Sequence, residues 1–373
     1  MRPHRRTSRR IGLVAATVLA TLAATACSAG GTAVVTTTVT PAAQNNTGTS
    51  DGSTPGAASS STSGSADTSG AQTGTASSTI VSSSPSTSTA PAQPVHVSTF
   101  EADGSTYGVG MAVVVLFSAA PTDAAAFEKA TTVTVNGQPA TGAWFWQKPT
   151  VPGYQLEALY REQKYWPAHS QIAVNMPVQG LSAGDGLVYD DSLTLTFNIG
   201  AAHISQVNNA QHMMTVTSDG QVVKNLPVSL GSASTPTYDG VKVVMEKGSV
   251  DPKTHKPLPD GTVEMKTEPG DPHPYDVMVP WSVRITNSGE FIHAASWNTG
   301  NIGSRNTSHG CTNLDVGDAE WFYNFSIPGD VVEYPGANKT GTMQPSWDGW
   351  GWWNMPWSEW TNGGLLVPAV PTA

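Results

Sequence analysis

Two short stretches decide how this chain is read: Phe291-Ile292-His293-Ala294-Ala295-Ser296-Trp297 and, with its cysteine eighteen positions after the histidine, Ser308-His309-Gly310-Cys311-Thr312-Asn313. Cys311 is one of two cysteines in 373 residues, and the other, Cys27, closes an apolar leader. A lone thiol in an exported protein is a liability unless it is used. A cysteine attacks a carbonyl only as thiolate, and an ordinary pKa of ~8.5 leaves little thiolate at neutral pH. An imidazole that takes the proton removes that barrier. Two imidazoles qualify on sequence alone: His293, on an expected strand from Glu290 to His293, and His309, closer along the chain. Gly310 lets a substrate approach the backbone amides of Gly310 and Cys311, which could hold the oxyanion.

Working outward, the surrounding module is mostly β. Met213 to Thr217, an Asp219-Gly220 turn and Gln221 to Leu230 read as a hairpin. Val241 to Met245, Trp281 to Thr286 and Val331 to Tyr334 read as further strands. One helix is expected from Val316 to Phe325, with Asp315 as N-cap, Asp318 completing a capping box and Pro328-Gly329 ending it. Glu246 to Val279 carries six prolines and reads as a long loop of the kind used as a lid.

Upstream, Val113 to Phe117, Thr132 to Val135, Trp144 to Trp146, Leu156 to Tyr160, Ile172 to Val174 and Leu193 to Ile199 recur at regular spacing, with turns at Asn136-Gly137 and Asp185-Gly186. Such short strands over about a hundred residues predict an immunoglobulin-like β-sandwich. Residues 28–95 are Ser, Thr, Gly, Ala and Pro with almost no charge. They read as a disordered tether with a typical reach of ~45 Å. Residues 1–27 begin with five arginines and run through an apolar stretch to Ala24-Thr25-Ala26-Cys27. They read as a signal peptide ending in a lipobox, with lipid on the Cys27 thiol; ordinary cleavage beside an incidental cysteine is the alternative. The tail, 338–373, holds Trp347, Trp350, Trp352, Trp353, Trp357 and Trp360, half of the chain's twelve tryptophans. It is expected to pack on the catalytic module, with a carbohydrate-stacking platform as the other reading. The expected domains are thus 1–27, 28–95, 96–203, 204–337 and 338–373.

The formal charge is −10; without the five leader arginines, 13 basic residues face 28 acidic ones, a net −15. Such a surface repels polyphosphates, so nucleic acid is not an expected partner. Two cysteines also exclude a disulfide scaffold and a four-thiolate zinc site.

The pair Phe291-Ile292-His293 and Ser308-His309-Gly310-Cys311, with Thr235-Pro236 and Gly240 ahead of the strand at Val241, resembles the L,D-transpeptidases, the YkuD-type catalytic domain. The resemblance covers about 204–337. The layout of lipobox, tether, immunoglobulin-like module and Trp-rich tail is similar to that family's mycobacterial-type envelope lipoproteins. It implies a mainly β fold, an immunoglobulin-like sandwich followed by a β-rich catalytic domain with one short helix. It also implies Cys311 as nucleophile, His293 as base, and the Ala294 carbonyl orienting the imidazole. His309 and Ser308 would shape the pocket, Gly310 would keep its place beside the nucleophile as a donor to the oxyanion, and Asn313 would hold substrate. Tyr275 would serve on a lid, Ser288-Gly289 would line the donor site and Trp297 would stand on the loop between histidine and cysteine. Tyr275 as a surface tyrosine, Ser288-Gly289 as a plain turn and Trp297 as packing remain open.

The implied partners are peptidoglycan stem peptides, donor and acceptor, with carbapenems as covalent inhibitors and the membrane engaged through Cys27. No metal or organic cofactor is implied. The expected place is the outer face of the cytoplasmic membrane, reaching into the wall. The rivals are an L,D-carboxypeptidase with water as acceptor and an anchored, non-catalytic wall-binding module. A papain-like protease fits poorly, because there the histidine follows the cysteine.

Overall fold

The computed structural model describes residues 91–267, 270, 274–336 and 350–366. The expected leader with Cys27, nearly all of the tether and Trp347 lie outside the described residues.

The first module is the expected immunoglobulin-like sandwich. One sheet orders Val97–Thr99, Val113–Phe117, Leu156–Arg161 and Ala143–Gln147. The other orders Thr106–Tyr107, Leu193–Ile199, Gln171–Met176, Thr132–Val135 and Gln138–Pro139. Val113–Phe117 is buried along its whole length, while Ile172, Val174 and Met176 alternate inward, as a strand with one wet face must. Asn136 and Gly137 have φ of 50° and 77°, the paired positive values of a two-residue hairpin turn. A helix the sequence reading did not anticipate, Ala124–Ala130, crosses one end. Asp123 caps it by accepting the Ala126 N–H at 3.0 Å, and it buries Phe127. At seven residues it is too short to show a 3.6-residue period.

The second module has a five-stranded sheet ordered Gln221–Pro227, Met213–Ser218, His203–Asn208, Val331–Tyr334 and Gly240–Val243. A second sheet orders Glu246–Lys247, Val283–Arg284, Phe291–Ala294 and Thr312–Leu314. The helix Val316–Phe325 is where the sequence places it, but the capping box does not form: Asp315 makes no side-chain cap bond, and Asp318 pairs with Lys224 at 2.9 Å instead. The long-loop expectation for Glu246 to Val279 also needs correction. Val263–Lys266 and Asp276–Val279 pair as an antiparallel hairpin, with Val263 and Met265 buried at alternate positions. The proline density hides this short period.

The described part of the tail packs on both modules: Trp350, Trp352 and Trp360 are buried in a cluster built mostly from the immunoglobulin-like module, together with Val243 and Val331 of the second module. Trp360 stacks on Phe145 and donates to Ala143 O at 2.9 Å; Trp352 and Trp353 both donate to Gly110 O. The Arg161 guanidinium lies 4.3 to 5.3 Å from the rings of Trp353, Trp357 and Trp360. The reason is an open sheet edge: Gly363 O and the Leu365 N–H take up the Trp146 backbone at the rim of Ala143–Gln147. The tail reaches the second module through Asn354, whose amide bonds Val241 N and O at 2.7 and 2.8 Å.

Candidate active site

Phe291–Ala294 and Thr312–Leu314 lie parallel, with His293 opposite Asn313 and Ile292 opposite Thr312. Side chains alternate faces along a strand, so His293, Asn313 and, two residues earlier, Cys311 share one face. Ile292, Ala294 and Leu314 take the other and enter the main core of this module. Seventeen residues of intervening chain thus return the thiol to the strand next to the imidazole.

His293 is 4% exposed, and its Nδ1 lies 2.9 Å from Ala294 O. A carbonyl can only accept, so Nδ1 carries the proton and Nε2 is left as the basic nitrogen. Burial lowers the imidazole to about 4, against a smaller upward pull from the Ala294 bond. Burial likewise pushes the Cys311 thiol up to about 12, with the Phe291 N–H pulling it down. Burial thus favours the neutral form of both groups, and the thiol donates to Gly289 O at 3.7 Å.

The backbone before the nucleophile is held on several sides. Gly310 has φ of 127°, a conformation that a side chain would strain. Its carbonyl accepts from Thr237 Oγ1 at 2.7 Å, and its N–H donates to Ser308 Oγ at 3.1 Å. Ser308 Oγ in turn donates to Cys311 O at 2.6 Å. Thr237 follows the Thr235-Pro236 segment, which explains why that segment accompanies the cysteine.

A cavity of about 320 Å³ opens onto these groups. Of the residues singled out in the sequence, Tyr275, His293, Trp297, Ser308, His309, Cys311 and Asn313 line it. Tyr275 comes from the hairpin over the cavity, with its ring 5.1 Å from that of His309; Trp297 is 62% exposed and stacks on His293. Asn313 is 3% exposed and its Oδ1 has no hydrogen-bond partner. Ser288 and Gly289 are not among the lining residues: Ser288 donates to Thr286 Oγ1 within its turn, and Gly289 meets Cys311 through its carbonyl.

Sequence reasoning missed Met265, Val277 and Val279, the apolar wall supplied by the hairpin. Their alternation was the signal available. It also missed Lys242 and Glu290, a buried ion pair.

A family model described as the L,D-transpeptidase catalytic domain, YkuD, matches residues 202–333, and one described as a bacterial Ig domain matches 49–182. L,D-transpeptidase 2 of Mycobacterium tuberculosis is 32% identical over 275 residues, which are 73% of this chain and 64% of that protein. L,D-transpeptidase 1 of the same species is 30% identical over 255 residues, 67% of this chain and 90% of that protein. The chain spans only 64% and 60% of the lengths of the curated L,D-transpeptidases 2 and 5. The solved structure of LD transpeptidase LdtMt1 in complex with imipenem aligns at a TM-score of 0.50 and 27% identity, covering 63% of this chain and 96% of that one. With the cysteine and histidine on adjacent strands inside the matched segment, the chain belongs to the L,D-transpeptidase family.

Proposed function

We propose that the protein forms 3→3 peptidoglycan cross-links by a cysteine thioester route. The observation that carries this reading is the His293 tautomer, held by Ala294 O on the strand beside Cys311. Nε2 takes the Cys311 proton as Sγ bonds to the carbonyl carbon of the third residue in a donor tetrapeptide stem. The C–N bond to the terminal D-alanine then breaks, and the imidazolium gives its proton to the leaving amine. The side-chain amine of an acceptor stem attacks the thioester and loses its proton to His293. The C–S bond breaks, and the proton returns to sulfur.

The Cys311 and Gly310 amides receive the oxyanion, the latter after Ser308 releases it. Asn313 Oδ1 accepts from a substrate N–H, and Tyr275 with its hairpin excludes water so that amine outcompetes hydrolysis. His309, Trp297 and the Ser288-Gly289 turn line the approach of the stems.

The test supplies a donor tetrapeptide stem with and without an acceptor amine and weighs the products. The parent gives a cross-linked product and Cys311→Ala gives none. Release of D-alanine with no cross-link would make the protein an L,D-carboxypeptidase. The imipenem complex of LdtMt1 supports a carbapenem adduct on Cys311, read by intact mass.

The Ala24-Thr25-Ala26-Cys27 run supports a place on the outer face of the cytoplasmic membrane, held by lipid on Cys27 and extended by the tether. Cys27→Ala is expected to move the protein from the membrane to the soluble fraction; retention in the membrane would reject the lipid anchor.

A further inference from the structure

Beside the nucleophile, outside the residues that line the cavity, sits an ion pair that the thioester chemistry does not use. Lys242 is fully buried, Glu290 is 5% exposed, and the Lys242 ammonium bonds Glu290 Oε2. The other carboxylate oxygen accepts the Tyr238 N–H at 2.8 Å. A Cβ on Gly310 would lie 3.4 Å from that oxygen, so the carboxylate runs alongside the residue before Cys311. The ammonium stands 3.9 Å from the Tyr334 ring centroid, and Tyr334 OH bonds Thr312 Oγ1, on the residue after Cys311, at 2.7 Å. The pair thus reaches both flanks of the nucleophile. Its backbone is fixed from outside as well, since Asn354 of the tail grips Val241.

Burying two charges is expensive, and an apolar pair of similar volume commonly serves stability as well or better. A pair kept at this place therefore calls for a role besides stability. A lone carboxylate beside Gly310 would oppose every anion formed at Cys311, first the thiolate and then the oxyanion.

We propose that Lys242 and Glu290 are positioning residues for Cys311: the carboxylate fixes the 238 loop and the Gly310 flank, and the ammonium cancels its charge where the thiolate forms. This rests on the nucleophile reading above. The charged and titratable groups that bear on Cys311 are Glu290, which opposes its ionisation, and Lys242 and Arg284, which favour it. Tyr334 is held neutral by burial, and His293 and His309 line the same cavity as Cys311.

The experiment follows iodoacetamide labelling of Cys311 by peptide mass as a function of pH, on the full chain. Glu290→Gln removes a negative charge that opposes ionisation of Cys311, and the labelling midpoint is expected to fall by about one pH unit. Lys242→Met removes a positive charge that favours ionisation of Cys311, and the midpoint is expected to rise by about as much. Lys242→Met with Glu290→Gln is expected to return it to the parent value. Should Lys242→Met fail to fold, the fall with Glu290→Gln and its reversal in the double variant carry the same test. A midpoint that stays put in Glu290→Gln, or moves the same way in both single variants, overturns the proposal. Failure of the underlying reading looks different: the parent would label at the rate of His293→Ala, whatever the pair does.

Discussion

In the immunoglobulin-like module Glu101 is 3% exposed and its two carboxyl oxygens take the Val114 N–H at 3.1 and 3.2 Å. In the catalytic module Lys242, Glu290 and His293 are as deeply buried, yet they gather around one cysteine at the wall of a cavity. Burial alone perturbs titration in both places: it pushes Glu101 up to about 8, chiefly by desolvation, as it pushes Cys311 up to about 12. The difference lies in convergence. Glu101 answers backbone amides and is not among the residues that line this cavity, so its perturbed carboxyl is a by-product of packing. His293 and Cys311 share a strand face and an opening, the convergence that marks a candidate reactive site.

The largest expected effect tests that contrast at the catalytic pair. His293→Gln keeps a donor for Ala294 O but cannot take a proton, and acylation of Cys311 by a β-lactam should slow by about 10²- to 10⁴-fold. The same variant should change acid stability. The folded pKa of His293, about 4, lies below the ordinary 6.5, so between those values the unfolded chain binds more protons and parent stability falls as pH drops. Denaturant unfolding at pH 4.5 and 6.5 should show that slope reduced in His293→Gln. An unchanged acylation rate would remove His293 from the mechanism.

Next in size is the tail. Trp360→Ala deletes a fully buried ring from the first module's core and should cost about 3 to 5 kcal/mol, read as a lowered thermal transition. Labelling of Cys311 well below that transition should keep the parent rate. A loss of labelling together with stability would mean that the first module holds the site in shape.

The smallest is Glu101→Gln. Here the folded pKa, about 8, lies above the ordinary 4.5, so the folded chain binds more protons between them and parent stability falls as pH rises. The variant should be the more stable by about 1 to 3 kcal/mol at pH 8, with near equality at pH 4.5. Acylation should be untouched. Measured unfolding free energies at the two pH values decide it; a variant weaker than the parent at pH 8 would show the Val114 bond to matter more than the desolvated charge.

Much of the fold was legible because strands announce themselves locally. Val113–Phe117, Thr132–Val135 and Leu193–Ile199 have the bounds that their apolar runs suggest. The helix Ala124–Ala130 and the hairpin over the cavity were not, the first for shortness and the second because prolines mask its alternation. At the site, seven of the residues that line the cavity could be named from the sequence, whereas Ser288 and Gly289 could not be told from an ordinary turn. The structure leaves Ser288 in that turn and gives Gly289 a carbonyl contact with the thiol.

What the chain determined by itself is what lies within a few residues or follows the period of a strand: a cysteine preceded by glycine, a histidine that must sit on a strand, an alternation that selects a face. What only the tertiary structure decided are the long-range partners. Lys242 meets Glu290 across 48 positions, and Trp352 reaches Gly110 across 242. Nothing local marks such pairs, because a buried charge or an indole N–H is satisfied by whichever group the fold brings near, and that choice is made only when the sheets close.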